Sequence, residues 1–414
     1  MTGNDIGRRA ALGLGVAAGA ASLTPRRARA QTKTVKVALL APMSGAWARN
    51  GQMMKSGADM GIADINNAGG VKALGGAKME LVVVDAGDTT EKATNAAQRM
   101  VANNPDLIGG TGAWLSSFTL AVTEVTERFE LPWLTLSYSD AITDRGFKYV
   151  FQMSPTADKQ AIEALPAYLA IALKATGKTP TTIALVSDNT AAEVSFLKPI
   201  RATELAKYKL KAVADEVFTP PLADATSIVQ RVRSGRPDIM FQLSSSLPDT
   251  KLLFDKFTEY RLGNDRLPKM GAGGGWTAPE MSASIGKDII QGTMAMIANW
   301  PGKDEGALEQ RFVKETGEPW LNQDAIMTYV DMMTLHAAVE QAGVADRRKV
   351  GEAMRNFDLR DEDPAKLIPS RHLKFDSKGR LVDPVLVIIQ WQDGRPRAIY
   401  PEAMASVQPI WPKA

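Results

Sequence analysis

The chain has no cysteine in its 414 residues, two histidines, and only 7% aromatic residues. Without cysteine no disulfide can form, so the folded state depends on buried apolar surface. The histidines, His336 in a helical pattern and His372 beside the run 373–375, are a thin stock for acid–base or metal chemistry. No H-E-x-x-H, G-x-S-x-G or P-loop pattern occurs. Residues Gly271 to Trp276 fail the G-x-G-x-x-G pattern because Trp276 stands where the last glycine belongs. No cofactor is implied. The pieces that stand out are hydroxyls, amides and glycine loops, which hold a ligand without transforming it, so the expectation is a protein that is not an enzyme.

Charge of one sign is also lacking. The formal net charge is +3, but the first thirty residues hold five arginines (Arg8, Arg9, Arg26, Arg27, Arg29) against Asp5. Taking five from 49 bases leaves 44, and one from 46 acids leaves 45, a balance of about −1 that would concentrate neither nucleic acid nor anionic lipid. Those thirty residues read as an export leader. Arg8-Arg9 precedes a weakly apolar stretch from Ala10 to Leu23, and Ala28-Arg29-Ala30 before Gln31 has the small-x-small form of a cleavage site. The paired arginine looks like a twin-arginine leader. Its core of about 14 residues falls short of the roughly 20 that span a bilayer. No later run reaches 18 unbroken apolar residues. A soluble, periplasmic product cleaved after about Ala30 is expected.

About 384 remaining residues exceed what one core sustains and imply two domains. Strand-like runs over 35–41, 79–85, 107–109, 133–136, 182–186, 210–217, 239–242, 269–271, 293–297 and 385–391 alternate with amphipathic patterns such as Ile162-Leu165-Leu169. Further helices are expected over 193–207, 247–260, 305–316 and 324–342. That alternation is the signature of parallel βαβ units. Asp361-Glu362-Asp363 lacks the spacing of a calcium loop, Arg347-Arg348-Lys349 reads as a solvated helix face, and Met327, Met332 and Met333 as core.

The most informative stretch runs from Val35 to Gly51, Val-Lys-Val-Ala-Leu-Leu-Ala-Pro-Met-Ser-Gly-Ala-Trp-Ala-Arg-Asn-Gly. A β-branched run stops at Pro42, becomes a small-residue loop and opens a helical pattern near Gly51. This puts loop side chains at a sheet's carboxyl edge, where open α/β folds bind ligands. The stretch resembles the opening of periplasmic solute-binding proteins of the branched-chain amino-acid ABC-transporter class, and the resemblance continues to about Pro401. It implies two Rossmann-like α/β lobes (a type I periplasmic binding protein) joined by a three-strand hinge, with the ligand cleft between them. The implied division is 34–157 plus 299–382 for one lobe and 158–298 plus 383–414 for the other. It also implies a monomer that captures a small solute and delivers it to an ABC permease.

The loop 42–51 offers Trp47 as a pocket wall, Arg49 as a partner for a carboxylate, and Asn50. A tryptophan leaning on its own lobe beside a solvated arginine is the plain alternative. Residues Gly109 to Ser117 place Ser116 and Ser117 where helix amides are unsatisfied, an end that attracts anions; simple helix capping is the alternative. In the resembled family the aligned serine and its neighbours hold the substrate carboxylate. Ser137, Tyr138, Ser139 and Asp140 follow the 133–136 strand, where the family supplies a carbonyl and a hydroxyl; an ordinary Ser/Asp turn would look the same.

The opposite lobe departs from the family. Glu193 follows Ala192, which stands where a tyrosine is common. Gln242 and Ser245 flank another strand end. Gly273 stands where relatives that bind α-amino acids use a glutamate to neutralise the ammonium group. That loss argues against a simple amino acid unless Asp140 or Glu193 substitutes, since an uncompensated buried ammonium costs several kcal/mol. Trp276, Gln242 and Trp300 would offer aromatic and amide surface, or each tryptophan could be plain core. A small organic acid, aromatic or branched, or an amide is the first expectation. A periplasmic sensor for a membrane receptor and a periplasmic hydrolase are the rival readings.

Overall fold

A computed structural model describes residues 34–302 and 305–411; the expected leader lies outside them. The first lobe opens with β1 (Val35–Ala41), α1 (Ala48–Asn67), β2 (Met79–Asp85) and α2 (Thr90–Asn103). It continues with β3 (Leu107–Gly112), α3 (Ser116–Arg128), β4 (Trp133–Thr135) and β5 (Val150–Gln152). These five strands form one parallel sheet in the order β2-β1-β3-β4-β5. The near-continuous apolar run of β1 is explained by its place inside the sheet between β2 and β3, covered on both faces.

The chain then builds the second lobe. It passes through α4 (Ala157–Thr176), β6 (Thr182–Asp188), α5 (Ala191–Pro199), a π-helical turn (Ile200–Glu204), α6 (Leu205–Lys207) and β7 (Lys211–Phe218). Next come α7 (Thr226–Gly235), β8 (Ile239–Leu243), α8 (Leu247–Glu259), β9 (Lys269–Ala272), α9 (Pro279–Ile285), α10 (Lys287–Ile290) and β10 (Met294–Ile297). Side chains alternate between two cores: Ile183 and Leu185 of β6 join one, Ala184 and Val186 the other.

After β10 the chain returns to supply α11 (Gly306–Thr316), α12 (Gln323–Ala342), α13 (Arg347–Arg355) and the short pair β11 (Leu359–Arg360) and β12 (His372–Leu373). It ends with β13 (Val387–Gln392) and β14 (Arg395–Tyr400). These close the second sheet in the order β14-β13-β10-β9-β8-β6-β7, antiparallel from β10 outward.

The sequence reading missed β5, β14 and the β11–β12 pair, each short or broken by proline or charge. Arg347 departs from its expected solvated face: its guanidinium donates to the carbonyls of Leu107, Phe129 and Pro105. α12 is the pivot of the first lobe. It packs on α1 so closely that a Cβ at Gly57 would lie 2.0 Å from the Ala325 carbonyl oxygen. Most of its residues are buried, polar Gln323, Asp324, Thr328 and Asp331 included. Among the described residues no helix is long and apolar enough to cross a membrane.

Candidate functional site

The carboxyl ends of β3, β4, β6, β8 and β9 converge on one cleft between the lobes. From the first lobe come Trp114 to Ser116 and Leu136 to Tyr138; from the second come Thr190, Ala192, Glu193, Ser244 to Leu247, Ala272 to Trp276 and Met281. Every contribution sits where a strand hands over to a helix or turn, the ligand-binding edge of an open α/β sheet.

Two helices start at this cleft without a side-chain cap, α3 after Leu115 and α5 after Thr190. A third helix at the cleft, α8, is capped by Ser246, as Thr89, Asn322 and Asp346 cap α2, α12 and α13. The chain approaches α3 through Ala113 and Trp114, both at positive φ (64° and 55°), a conformation that is costly for side-chain-bearing residues and here aims the first helical amides at the cleft.

Ser116 is the best-defined donor. Its Oγ accepts from the backbone N–H of Tyr138 and of Ser139, each at 3.2 Å. With its lone pairs so engaged, its remaining capacity is the hydroxyl proton, which can only be donated. A donor beside an uncapped helix N-terminus suits a carboxylate. Ser137 plays a different part, with its Oγ 2.7 Å from the Trp114 carbonyl and 2.7 Å from Thr119 Oγ1. It pins the strained Trp114 turn from behind. Its carbonyl is occupied by Gln152 Nε2 and Ser154 Oγ, so the expected carbonyl contact to a solute is not made there.

Trp114 and Asp324 carry no assignment from the sequence reading. The indole Nε1 donates to Asp324 Oδ1 at 3.0 Å, and Asn50 Nδ2 donates to Asp324 Oδ2 at 2.8 Å. Burial pushes this carboxyl up to about 6, with the two donors pulling it back. Trp114 stands in plain view between the glycine run and the serine pair. Asp324 has no local signal, because its partners lie more than two hundred residues away in the chain.

Of the expected residues, Ser116, Ser137, Tyr138, Glu193, Ser245, Gly273 and Trp276 line the cleft. The others do not. Trp47 packs edge-on against Phe118, ring centres 5.6 Å apart, so it leans on its own lobe. Arg49 is engaged by protein acids: Nε donates to Glu280 and a terminal nitrogen to Glu318, both at 2.6 Å. Glu280 lies in the first turn of α9 of the second lobe, so Arg49 clasps the lobes together and is not among the residues lining the cleft. Asn50 serves Asp324. Ser117 accepts from the Ala191 N–H at 3.2 Å and the Ser139 hydroxyl meets that of Ser195 at 2.8 Å, both links between lobes. Asp140 is turned to the first crossing, where it accepts from the Asp158 N–H; burial and then the Asp158 carboxyl push it upward. Gln242 is fully buried on β8, behind the cleft lining. Trp300 joins Trp320 and Trp391 in the core beneath Trp276.

Tyr138 donates to Gln323 Oε1 at 2.7 Å, and burial holds its phenol protonated. Gly273 has φ +95°, and a Cβ there would face the Tyr138 ring at 3.6 Å. A glutamate at this position would therefore carry backbone strain from the positive φ, with its Cβ in ordinary contact with the Tyr138 ring.

A model of the periplasmic binding protein family matches residues 34–395. The chain belongs to this family. Leu/Ile/Val-binding protein homolog 7 of Brucella melitensis is 27% identical over 383 residues, 90% of this chain and 92% of that protein. Among solved structures, the branched-chain amino acid transporter substrate-binding protein of Streptococcus pneumoniae in complex with isoleucine superposes with a TM-score of 0.75 at 17% identity, covering 88% of this chain and 98% of that one. A solute-binding protein of an R. palustris ABC transporter in complex with benzoate gives 0.73 at 18%, covering 91% and 98%. These periplasmic binding proteins share the fold described above, two α/β lobes with a cleft between them, and members of the family are solute binders. With the family in hand, the Arg49 clasp acquires an expected consequence. Replacing Arg49 with Ala should weaken capture of every solute alike, by about threefold, because the ion pairs are one-third exposed and such pairs contribute no more than about 1 kcal/mol. Titrations at low and high salt would check this; a loss confined to carboxylate solutes would return Arg49 to the ligand.

Proposed function

We propose that the chain is the extracytoplasmic solute-binding component of an ABC uptake transporter, a monomer exported and cleaved after about Ala30. It captures a small carboxylate-bearing solute with an apolar body by closing its lobes, 34–157 with 299–382 against 158–298 with 383 onward, and surrenders it unchanged to a membrane permease. One observation carries the reading: Ser116, a hydroxyl committed to donating, stands at the uncapped start of α3 inside a mainly apolar cleft that both lobes line. That combination fits a carboxylate at one end and a hydrocarbon or aromatic group against Trp114, Met281 and Trp276 at the other. Isoleucine and benzoate, held by two proteins of this fold, share that outline.

Closure must be favoured differentially by the solute, or no signal reaches the permease. Arg49, Ser117 and Ser139 already link the lobes, so the solute has only to add to a closed arrangement the chain supports by itself. The test is a thermal-shift screen of the protein from Gln31 onward against aliphatic and aromatic acids, amino acids, amides and amines. A solute at about 100 times its Kd should stabilise by roughly 2.7 kcal/mol. Absence of any shift across the carboxylates, or consumption of a compound on incubation, would refute the reading.

A further inference from the structure

The second lobe presents one acid to the cleft, and nothing among the described residues answers it. Glu193 lies in the first turn of α5, 4% exposed, among the residues lining the cleft, and its Oε2 finds no hydrogen-bond partner among the described residues. No lysine, arginine or histidine is among the described residues that line the space. The charged group acting on Glu193 is Asp188, at the end of β6, whose carboxylate is taken by the N–H groups of Thr190 and Ser245. Tyr138 faces it from the first lobe with its hydroxyl donated to Gln323. On the neighbouring turn and helix, Asp140 accepts from the Asp158 N–H and Lys159 pairs with Glu163, so no cation there is directed at Glu193. Thr190 Oγ1 beside it is likewise buried and unpartnered among the described residues.

A carboxyl so placed has two ways to avoid an uncompensated buried charge. In the empty cleft it keeps its proton, and burial followed by the Asp188 charge hold it far above the usual carboxylate range, outweighing the helix N-terminus that would favour ionisation. When a cation enters the cleft, the carboxylate becomes the favoured form.

We propose that Glu193 selects the nitrogen-bearing end of the solute, and that an ammonium group entering the cleft displaces the Glu193 proton to solvent as the ion pair forms. This rests on the reading of the cleft as a carboxylate receptor: Ser116 and α3 take the anionic end, Glu193 the cationic one. The ammonium stays ionised and the proton released comes from Glu193 alone, so capture of such a solute strengthens as pH rises, by up to about tenfold per pH unit while the empty-cleft carboxyl is protonated. Benzoate, with no nitrogen, leaves the proton in place.

The experiment is titration calorimetry at neutral pH with L-isoleucine and with benzoate, each in phosphate and in Tris, whose ionisation enthalpies differ. Isoleucine should release about one proton per molecule bound and benzoate none. Glu193→Gln should abolish the release and weaken isoleucine by about tenfold or more, with benzoate changed by less than about threefold. Benzoate binding also certifies that the variant is folded; should the variant fail to fold, the wild-type buffer pair decides by itself. Isoleucine bound without proton release, isoleucine bound equally by E193Q, or benzoate bound and isoleucine refused would each overturn the assignment of Glu193 while leaving the carboxylate receptor standing. If neither compound nor any other carboxylate binds, the receptor reading falls as well.

Discussion

Ser116→Ala should raise the Kd for a carboxylate solute by at least about tenfold, and by up to about a hundredfold if the donated bond reaches a fully desolvated carboxylate. A hydrogen bond to a charged acceptor contributes about 1.5–3 kcal/mol, twice a neutral one. The same change leaves the N–H groups of Tyr138 and Ser139 without their acceptor, so a fall in unfolding free energy of about 1–3 kcal/mol should accompany the binding loss. Calorimetry and urea denaturation on one preparation separate the two effects. Ser137→Ala makes the informative comparison: its hydroxyl is held by the Trp114 carbonyl and Thr119, so losing that pin should weaken aromatic and aliphatic acids together by loosening the turn. Unaltered affinity in the Ser116 variant would remove that residue from the site.

The second large effect is expected at Gly274. A Cβ there would stand 1.9 Å from Asp324 Oδ1 and 2.6 Å from its Cγ. Asp324 is fully buried and held on both oxygens, by Trp114 and Asn50, so it cannot swing aside as a surface side chain would. Gly274→Ala must therefore push the second lobe's loop away or break the Trp114 bond. The first outcome pries the cleft open, and the second frees the Trp114 wall. Overpacking of this kind costs about 1–3 kcal/mol, borne mainly by the closed arrangement, so affinity should drop by about tenfold or more with a small change in midpoint for unfolding. Solution scattering should show the variant expanded with solute present, and a profile identical to wild type would sink the prediction.

Much of the architecture is legible in the residues because parallel βαβ units advertise themselves. The apolar run at 35–41 and the strand–glycine–serine junction at 109–117 are local signals whose meaning does not depend on distant chain. The cleft lining is legible only where the signal is local. Ser116 can be placed because a helix start and its hydroxyl are neighbours in sequence. The place of Arg49 is hidden because nothing near it reveals Glu280 and Glu318, which reach it from far along the chain and hold it outside the cleft lining. Trp47 and Trp300 illustrate the same limit: a tryptophan beside a loop looks alike whether it walls a cleft or packs on Phe118. Gln242 fails for a plainer reason, since strand alternation turns it away from the cleft while the serines after it turn the corner.

The winding of the chain between lobes bears on how the molecule is made. The five strands of the first sheet are complete by Gln152, yet the helix that covers α1, with Ala325 seated against Gly57, is not synthesised until residues 323–342. The second sheet likewise waits for β13 and β14. A ribosome-bound fragment ending near residue 300 would carry two half-clothed lobes, each with a sticky flank open to strangers. Packing of both must wait until the final third has emerged, which places the interval of greatest vulnerability to aggregation late in translation.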